Sequence, residues 1–136
     1  MRLHRNDEFF GCDECVNSQQ SKARRAINQN KIIVAVTGEI DYVTDGTSTY
    51  AISGGHEMMT KVTATGCALS CLIGAAIAVG EDKLLSAAAI IAIYGLAGKM
   101  ASEEAKGPGS LRVHLLDNLA NLTPTEVSEN VKIENA

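Results

Sequence analysis

The segment Val62-Thr63-Ala64-Thr65-Gly66-Cys67-Ala68-Leu69-Ser70 places small residues where a loop runs into an apolar helix. The first N–H groups of a helix have no intrahelical acceptor, and the helix dipole favours negative charge there, so such a junction suits an anion such as phosphate. Small side chains let the anion come close to the backbone. The same Gly and Ala residues would equally permit tight helix–sheet packing, and their spacing is not that of a Walker loop. A second candidate is Thr37-Gly38, at the end of the apolar run Lys31-Ile32-Ile33-Val34-Ala35-Val36. Open α/β sheets bind ligands at the carboxyl ends of their strands, although a strand-end threonine also serves purely structural ends. The third candidate is the cysteines, Cys12-Asp13-Glu14-Cys15 and Cys67-Ala68-Leu69-Ser70-Cys71. Zinc would need all four thiols to converge. The second pair stands four residues apart on an apolar helix, with Cys71 expected to face packing, so buried free thiols are expected and no metal site is assigned. His4, His56 and His114 have no ligand spacing.

These groups need elements to hold them. The β-branched run at residues 31–37 predicts a strand buried on both faces, as in parallel sheets. Tyr42-Val43-Thr44 and Ser48-Thr49-Tyr50-Ala51-Ile52 flank Asp45-Gly46, a hairpin signal. Gly54-Gly55 ends that hairpin, and a loop is expected as far as Thr65. One helix is predicted from Cys67 to Val79, stopped near Gly80. A second starts after Asp82 as N-cap and reaches about Lys106, ended by Gly107-Pro108-Gly109. Leu111, Leu115, Leu119 and Leu122 give a third, amphipathic helix. Thr123-Pro124-Thr125-Glu126 is a capping box opening a short fourth. A polar helix at residues 18–29 is also expected. One buried strand and a hairpin followed by three to four helices is half of an α/β sheet protein.

The chain has 136 residues, 46% hydrophobic and 21% charged, with 12 Gly and 2 Pro. That composition is globular rather than disordered or collagen-like. Twelve basic against 16 acidic residues give a net charge of −4, and aromatic residues are only 4% with no Trp. Both argue against a nucleic-acid partner. Charge is absent from Val62 to Gly80 and from Leu84 to Gly98. A membrane hairpin is the alternative for these stretches. The first contains Thr, Ser and Gly, the second is short, and neither has an orienting Lys/Arg cluster, so core helices are expected instead of a membrane partner. Met1 to Glu8 carries charge with no apolar run after it, so no signal peptide is expected. A cytoplasmic location with reduced thiols follows as the expectation.

Four blocks in order resemble one family: Thr37-Gly38-Glu39-Ile40-Asp41-Tyr42-Val43-Thr44-Asp45-Gly46; Gly54-Gly55-His56 with Met59-Thr60-Lys61-Val62-Thr63; Thr65-Gly66-Cys67-Ala68-Leu69-Ser70; and Gly107-Pro108-Gly109-Ser110. Together they resemble the C-terminal half of hydroxyethylthiazole kinase. The resemblance implies a ribokinase-like α/β fold, of which this chain would be the C-terminal half of the three-layer sandwich. Residues 1–16 would be a divergent N-terminal segment and residues 17–136 the C-terminal part of the kinase-like domain, without its N-terminal half. The implied activity is transfer of phosphate from ATP, with Mg²⁺, to the hydroxyl of 4-methyl-5-(2-hydroxyethyl)thiazole in thiamine biosynthesis. The implied assembly is a homo-oligomer, a trimer in the family. By position, Thr37 matches an ATP-contacting Thr and Ala64 a Gly lining the thiazole site. The Gly66 and Cys67 N–H groups match the anion hole, and Cys67 stands where related kinases place the base. The alternative reading is a non-enzymatic remnant, or the partner of a separately encoded N-terminal half.

Overall fold

Strand-forming and turn-forming residues alternate early in the part of the chain that the computed structural model describes, residues 32–136. Strands β1 (Val34–Val36), β2 (Ile40–Thr44), β3 (Thr49–Ser53) and β4 (Ile133–Asn135) form an antiparallel sheet in the order β1-β2-β3-β4. The Asp45-Gly46 hairpin is present. Asp45 Oδ1 accepts from the N–H groups of Thr47 and Ser48, each at 2.8 Å, while Gly46 adopts φ +94°. Those two donors hold the Asp45 carboxyl below the usual carboxylate range.

Cross-strand partners share a face. Ala35 lies opposite Val43 and Val43 opposite Tyr50; Asp41 lies opposite Ile52 and Ile52 opposite Ile133. Val43 and Ile52 are fully buried on this face, and helix α2 lies against it.

A 3-10 helix, Glu57–Lys61, leads to helices α1 (Thr65–Val79), α2 (Lys83–Glu104), α3 (Pro108–Asn121) and α4 (Pro124–Asn130). Helix α2 is the hub: it packs on β2, β3 and β4 and carries α1 and α3 on its sides. Its buried residues, among them Leu84, Ala88, Ile91, Tyr94 and Ala101, go all the way round. By length and composition alone it could cross a membrane, but here it is the core helix against which every other layer rests. Asp82 caps it, accepting from Leu85 N–H at 3.0 Å. The Thr123–Glu126 capping box opens α4 as expected, with Thr123 N–H donating to Glu126 Oε2 at 2.8 Å and Glu126 N–H donating back to Thr123 Oγ1 at 3.3 Å.

Several expectations change. The strand expected at residues 31–37 is only three residues long, half-buried, and paired antiparallel with β2. Among the described residues its other edge has no neighbour strand, which is why it is not buried on both sides. Helix α2 ends at Glu104, before Gly107-Pro108-Gly109. That tripeptide opens α3, where a missing proline N–H is harmless at the first position and Ser110 Oγ accepts from the N–H groups of Lys106 and Gly107. Cys71 is exposed rather than packed, because α1 meets α2 through Leu69 and Ile73 on its opposite side. The expected helix at residues 18–29 and the Cys12–Cys15 pair lie outside the described residues.

Gly54 and Gly55 leave β3 and pass directly over the α2 backbone. A Cβ on Gly95 would stand 3.1 Å from Gly55 N and 3.4 Å from the Gly54 carbonyl carbon. A Cβ on Gly98 would overlap the Met59 Sδ. The two positions therefore differ in what must yield: backbone at Gly95, the end of a flexible side chain at Gly98. Alanine gains about 1 kcal/mol over glycine inside a helix, against an overpacking cost of about 1–3 kcal/mol where nothing can move. Gly95→Ala is expected to lower the free energy of unfolding in urea, whereas Gly98→Ala stays within about 1 kcal/mol of the parent. Equal losses at both positions would sink this account.

Candidate functional site

Strands β1 and β3 both run antiparallel to β2. Their C-terminal ends, Val36 and Ser53, therefore lie at the same end of the sheet, the end where β2 begins. Thr37 and Gly38 follow β1 there, and Gly54-Gly55 leave β3 there toward α1. Topology alone thus gathers the Thr37 loop and the path to the α1 N-terminus at one edge.

The Thr37 loop is held by Asp41, whose Oδ1 accepts from Gly38 N–H at 2.8 Å. Asp41 shares the face of Val43 and Ile52, toward the helical layer. Burial there pushes its carboxyl up to about 6, although the Gly38 hydrogen bond opposes the rise. Thr37 itself is exposed.

The start of α1 is built differently. Ala64, its N-cap, adopts φ +71° and ψ 4°, the left-handed region, and has no side chain able to cap the helix. Its carbonyl accepts from Ala68 N–H at 2.9 Å, the first bond of the helix. The N–H groups of Thr65, Gly66 and Cys67 precede that bond and are left without intrahelical acceptors. Gly66 and Cys67 are exposed. The turn is anchored from behind. The Thr65 hydroxyl reaches back to the carbonyls of Val62 and Met59, at 3.1 and 3.3 Å. Tyr94 of α2, only 4% exposed, donates its hydroxyl to the Thr65 carbonyl at 3.0 Å. Burial pushes the Tyr94 phenol further up from its ordinary value, so it remains a donor throughout the physiological range.

Of the residues singled out in the sequence, Ala64, Gly66 and Cys67 stand together on this turn. Thr37 stands on a separate loop at the sheet edge. A cavity of about 90 Å³ between Ser53, Gly55, Leu96, Lys99 and Val131 includes none of the four. Cys67 and Cys71 are free and exposed, and among the described residues no three metal-ligating side chains converge. His56 caps the 3-10 helix, its Nδ1 accepting from Met58 N–H at 3.2 Å. Sequence reasoning passed over Asp41 and Tyr94 as site residues. The first was visible as an acid in step with Val43, the second as a polar-tipped ring inside an uncharged helix.

Comparisons with known proteins agree on one family. A family model described as "Hydroxyethylthiazole kinase family" matches residues 6–125. Hydroxyethylthiazole kinase of Zea mays is 40% identical over 131 residues, which is 94% of this chain and 47% of the relative. Its counterpart in Pyrococcus furiosus is 47% identical over 102 residues, covering 75% and 38%. The solved structure of hydroxyethylthiazole kinase from Pyrococcus horikoshii OT3 superposes with a TM-score of 0.81 at 35% identity, over 90% of this chain and 49% of that one. The chain spans less than half the length of the curated relatives it matches.

Two stability measurements probe this local geometry. A left-handed conformation costs a residue with a Cβ about 1–2 kcal/mol, offset in part by glycine's greater unfolded-state entropy. Ala64→Gly is therefore expected to stabilise the fold by about 0.5–1 kcal/mol in urea unfolding; a loss would contradict the left-handed assignment. For Asp41, burial lifts the carboxyl to about 6 in the folded chain, above its ordinary value of 3.8. The folded state then holds the extra proton between those values. Its stability falls as pH rises through this window, and the penalty is complete above about 6. Asp41→Asn keeps an acceptor for Gly38 and removes the penalty. It should gain up to about 3 kcal/mol over the parent at pH 7 and almost nothing at about pH 3; a pH-independent difference would refute the burial argument.

Proposed function

Because the chain belongs to the hydroxyethylthiazole kinase family, we propose that it provides one half of a phosphoryl-transfer site acting on 4-methyl-5-(2-hydroxyethyl)thiazole, as in thiamine biosynthesis. The observation that carries this reading is the uncapped α1 N-terminus, whose Gly66 and Cys67 N–H groups are free and exposed. Phosphoryl transfer needs positioning and charge stabilisation more than covalent chemistry. Backbone donors and the positive end of a 15-residue helix supply both.

In this reading the alcohol oxygen attacks the γ-phosphorus of ATP as the bond to the β-phosphate oxygen breaks, leaving ADP. The Gly66 and Cys67 N–H groups hold the charge on the transferring phosphoryl. Cys67 Sγ takes the alcohol proton, Ala64 lines the thiazole, and the Thr37 hydroxyl binds the nucleotide. Magnesium, when bound with ATP, would neutralise charge on the phosphates. Nucleotide and thiazole contacts beyond these residues belong to the half of the relatives that this chain does not match. The protein is taken to act in the cytoplasm as a homo-oligomer, a trimer as the resemblance implies.

A second reading draws on the coverage itself: a chain matching less than half of its relatives suits the partner of a separately supplied N-terminal half. One assay distinguishes the two. The purified chain is given MgATP and the thiazole alcohol, alone and with the unmatched half of the Pyrococcus horikoshii enzyme. Turnover by the chain alone favours the kinase reading, and turnover only on mixing favours the partner reading. None in either case leaves a non-enzymatic role. Wherever turnover is seen, Cys67→Ala is expected to lower kcat about 100-fold or more if its thiol takes the proton; a change under tenfold would remove it from that role.

A further inference from the structure

Tyr94 lies on α2, 29 residues from Thr65, yet its hydroxyl donates to the Thr65 carbonyl at 3.0 Å. Helix geometry already offers that carbonyl the N–H of Leu69, so the carbonyl does not need the phenol to satisfy it. The peptide concerned is also the one that matters. Its carbonyl belongs to Thr65 and its N–H to Gly66, which is one of the two exposed donors at the α1 N-terminus. A hydrogen bond accepted by a carbonyl polarises the whole peptide unit and strengthens its N–H as a donor, because hydrogen bonds in a chain reinforce one another. It also fixes the plane of that peptide, and therefore the direction in which the Gly66 N–H points.

We propose that Tyr94 is a positioning residue for phosphoryl transfer, acting through the Thr65–Gly66 peptide to aim and polarise the Gly66 N–H. This rests on the reading of α1 as the anion-binding turn. The ring is locked for the task. Tyr94 is buried in the core cluster, and its neighbour Gly95 receives the backbone of Gly54 and Gly55. Phenol, Thr65 carbonyl and Gly66 amide thus form a relay from the core to the exposed turn. Thr65 adds a second tether through its hydroxyl to Val62 and Met59, which keeps the turn from rotating about the first.

The test separates this role from plain packing. Tyr94→Phe keeps the ring and removes only the donor. In ¹H–¹⁵N spectra of the full chain, the Gly66 amide resonance is expected to move upfield, with Cys71 and Ala75 further along α1 unmoved. Replacing the tyrosines by 3-fluorotyrosine keeps the fold, makes the phenol a stronger donor, and should move Gly66 the opposite way. Wherever turnover is seen, kcat should fall about tenfold in Tyr94→Phe, with KM for ATP within twofold. A stationary Gly66 resonance, a displacement of all α1 together, or a raised KM at unchanged kcat would overturn the proposal. Absence of turnover in the unsubstituted chain, alone or mixed with the complementary half, counts against the kinase reading instead. The Gly66 resonance then decides the role of Tyr94 by itself.

Discussion

The passage of Gly54-Gly55 across Gly95 is the constraint on which the rest of this half-site depends. It is a contact of backbone on backbone, with no side chain on either partner. The helix needs glycine there for space, because a Cβ on Gly95 would stand 3.1 Å from Gly55 N, while the strand exit needs it at Gly55 for a φ of +82°. Because β3 exits there, the 3-10 helix sets its Met59 over Gly98, and the chain is returned to α2 in time for Thr65 to meet Tyr94. The orientation of the α1 first turn is thus set by residues that carry no chemistry.

Two kinds of preparation converge on the sheet edge. At the Thr37 loop a part-buried carboxylate holds Gly38, at an electrostatic cost that grows with pH. At the α1 turn a strained alanine leaves the first amides open, and a buried phenol steadies them from behind. Both spend folding stability to hold polar groups in fixed directions, which is common where polar groups must be ready before a ligand arrives.

How much of this could be read from the residues depended on the range of each signal. Local chemistry was legible: Asp45-Gly46 made its hairpin, Asp82 capped α2, and Thr123 with Glu126 closed their box. Non-local outcomes were not. Strand β4 is three residues with a glutamate in the middle, and only the open edge of β3 makes it a strand. Cys71 follows the same rule: an uncharged helix reads as buried all round, yet among the described residues α1 is buried on its Leu69–Ile73 side alone. The left-handed Ala64 was invisible because alanine gives no sign of φ > 0, whereas the glycine expected from the resemblance would have given one. The site was legible as a set of small residues on one turn, and illegible as a mechanism, since Tyr94 reaches it from 29 residues away.

The glycine crossing also implies an order of assembly. Gly54 and Gly95 are separated by about forty residues, and closing such a loop costs about 3 kcal/mol of chain entropy. A contact made of backbone alone buries too little apolar surface to offset that cost. It can form only after the strands and α2 have already paired through Val43, Ile52 and Ile91. The turn that carries Gly66 and Cys67 therefore keeps its place only while the sheet stays packed on α2, since both of its anchors, the glycine crossing and Tyr94, belong to that packing.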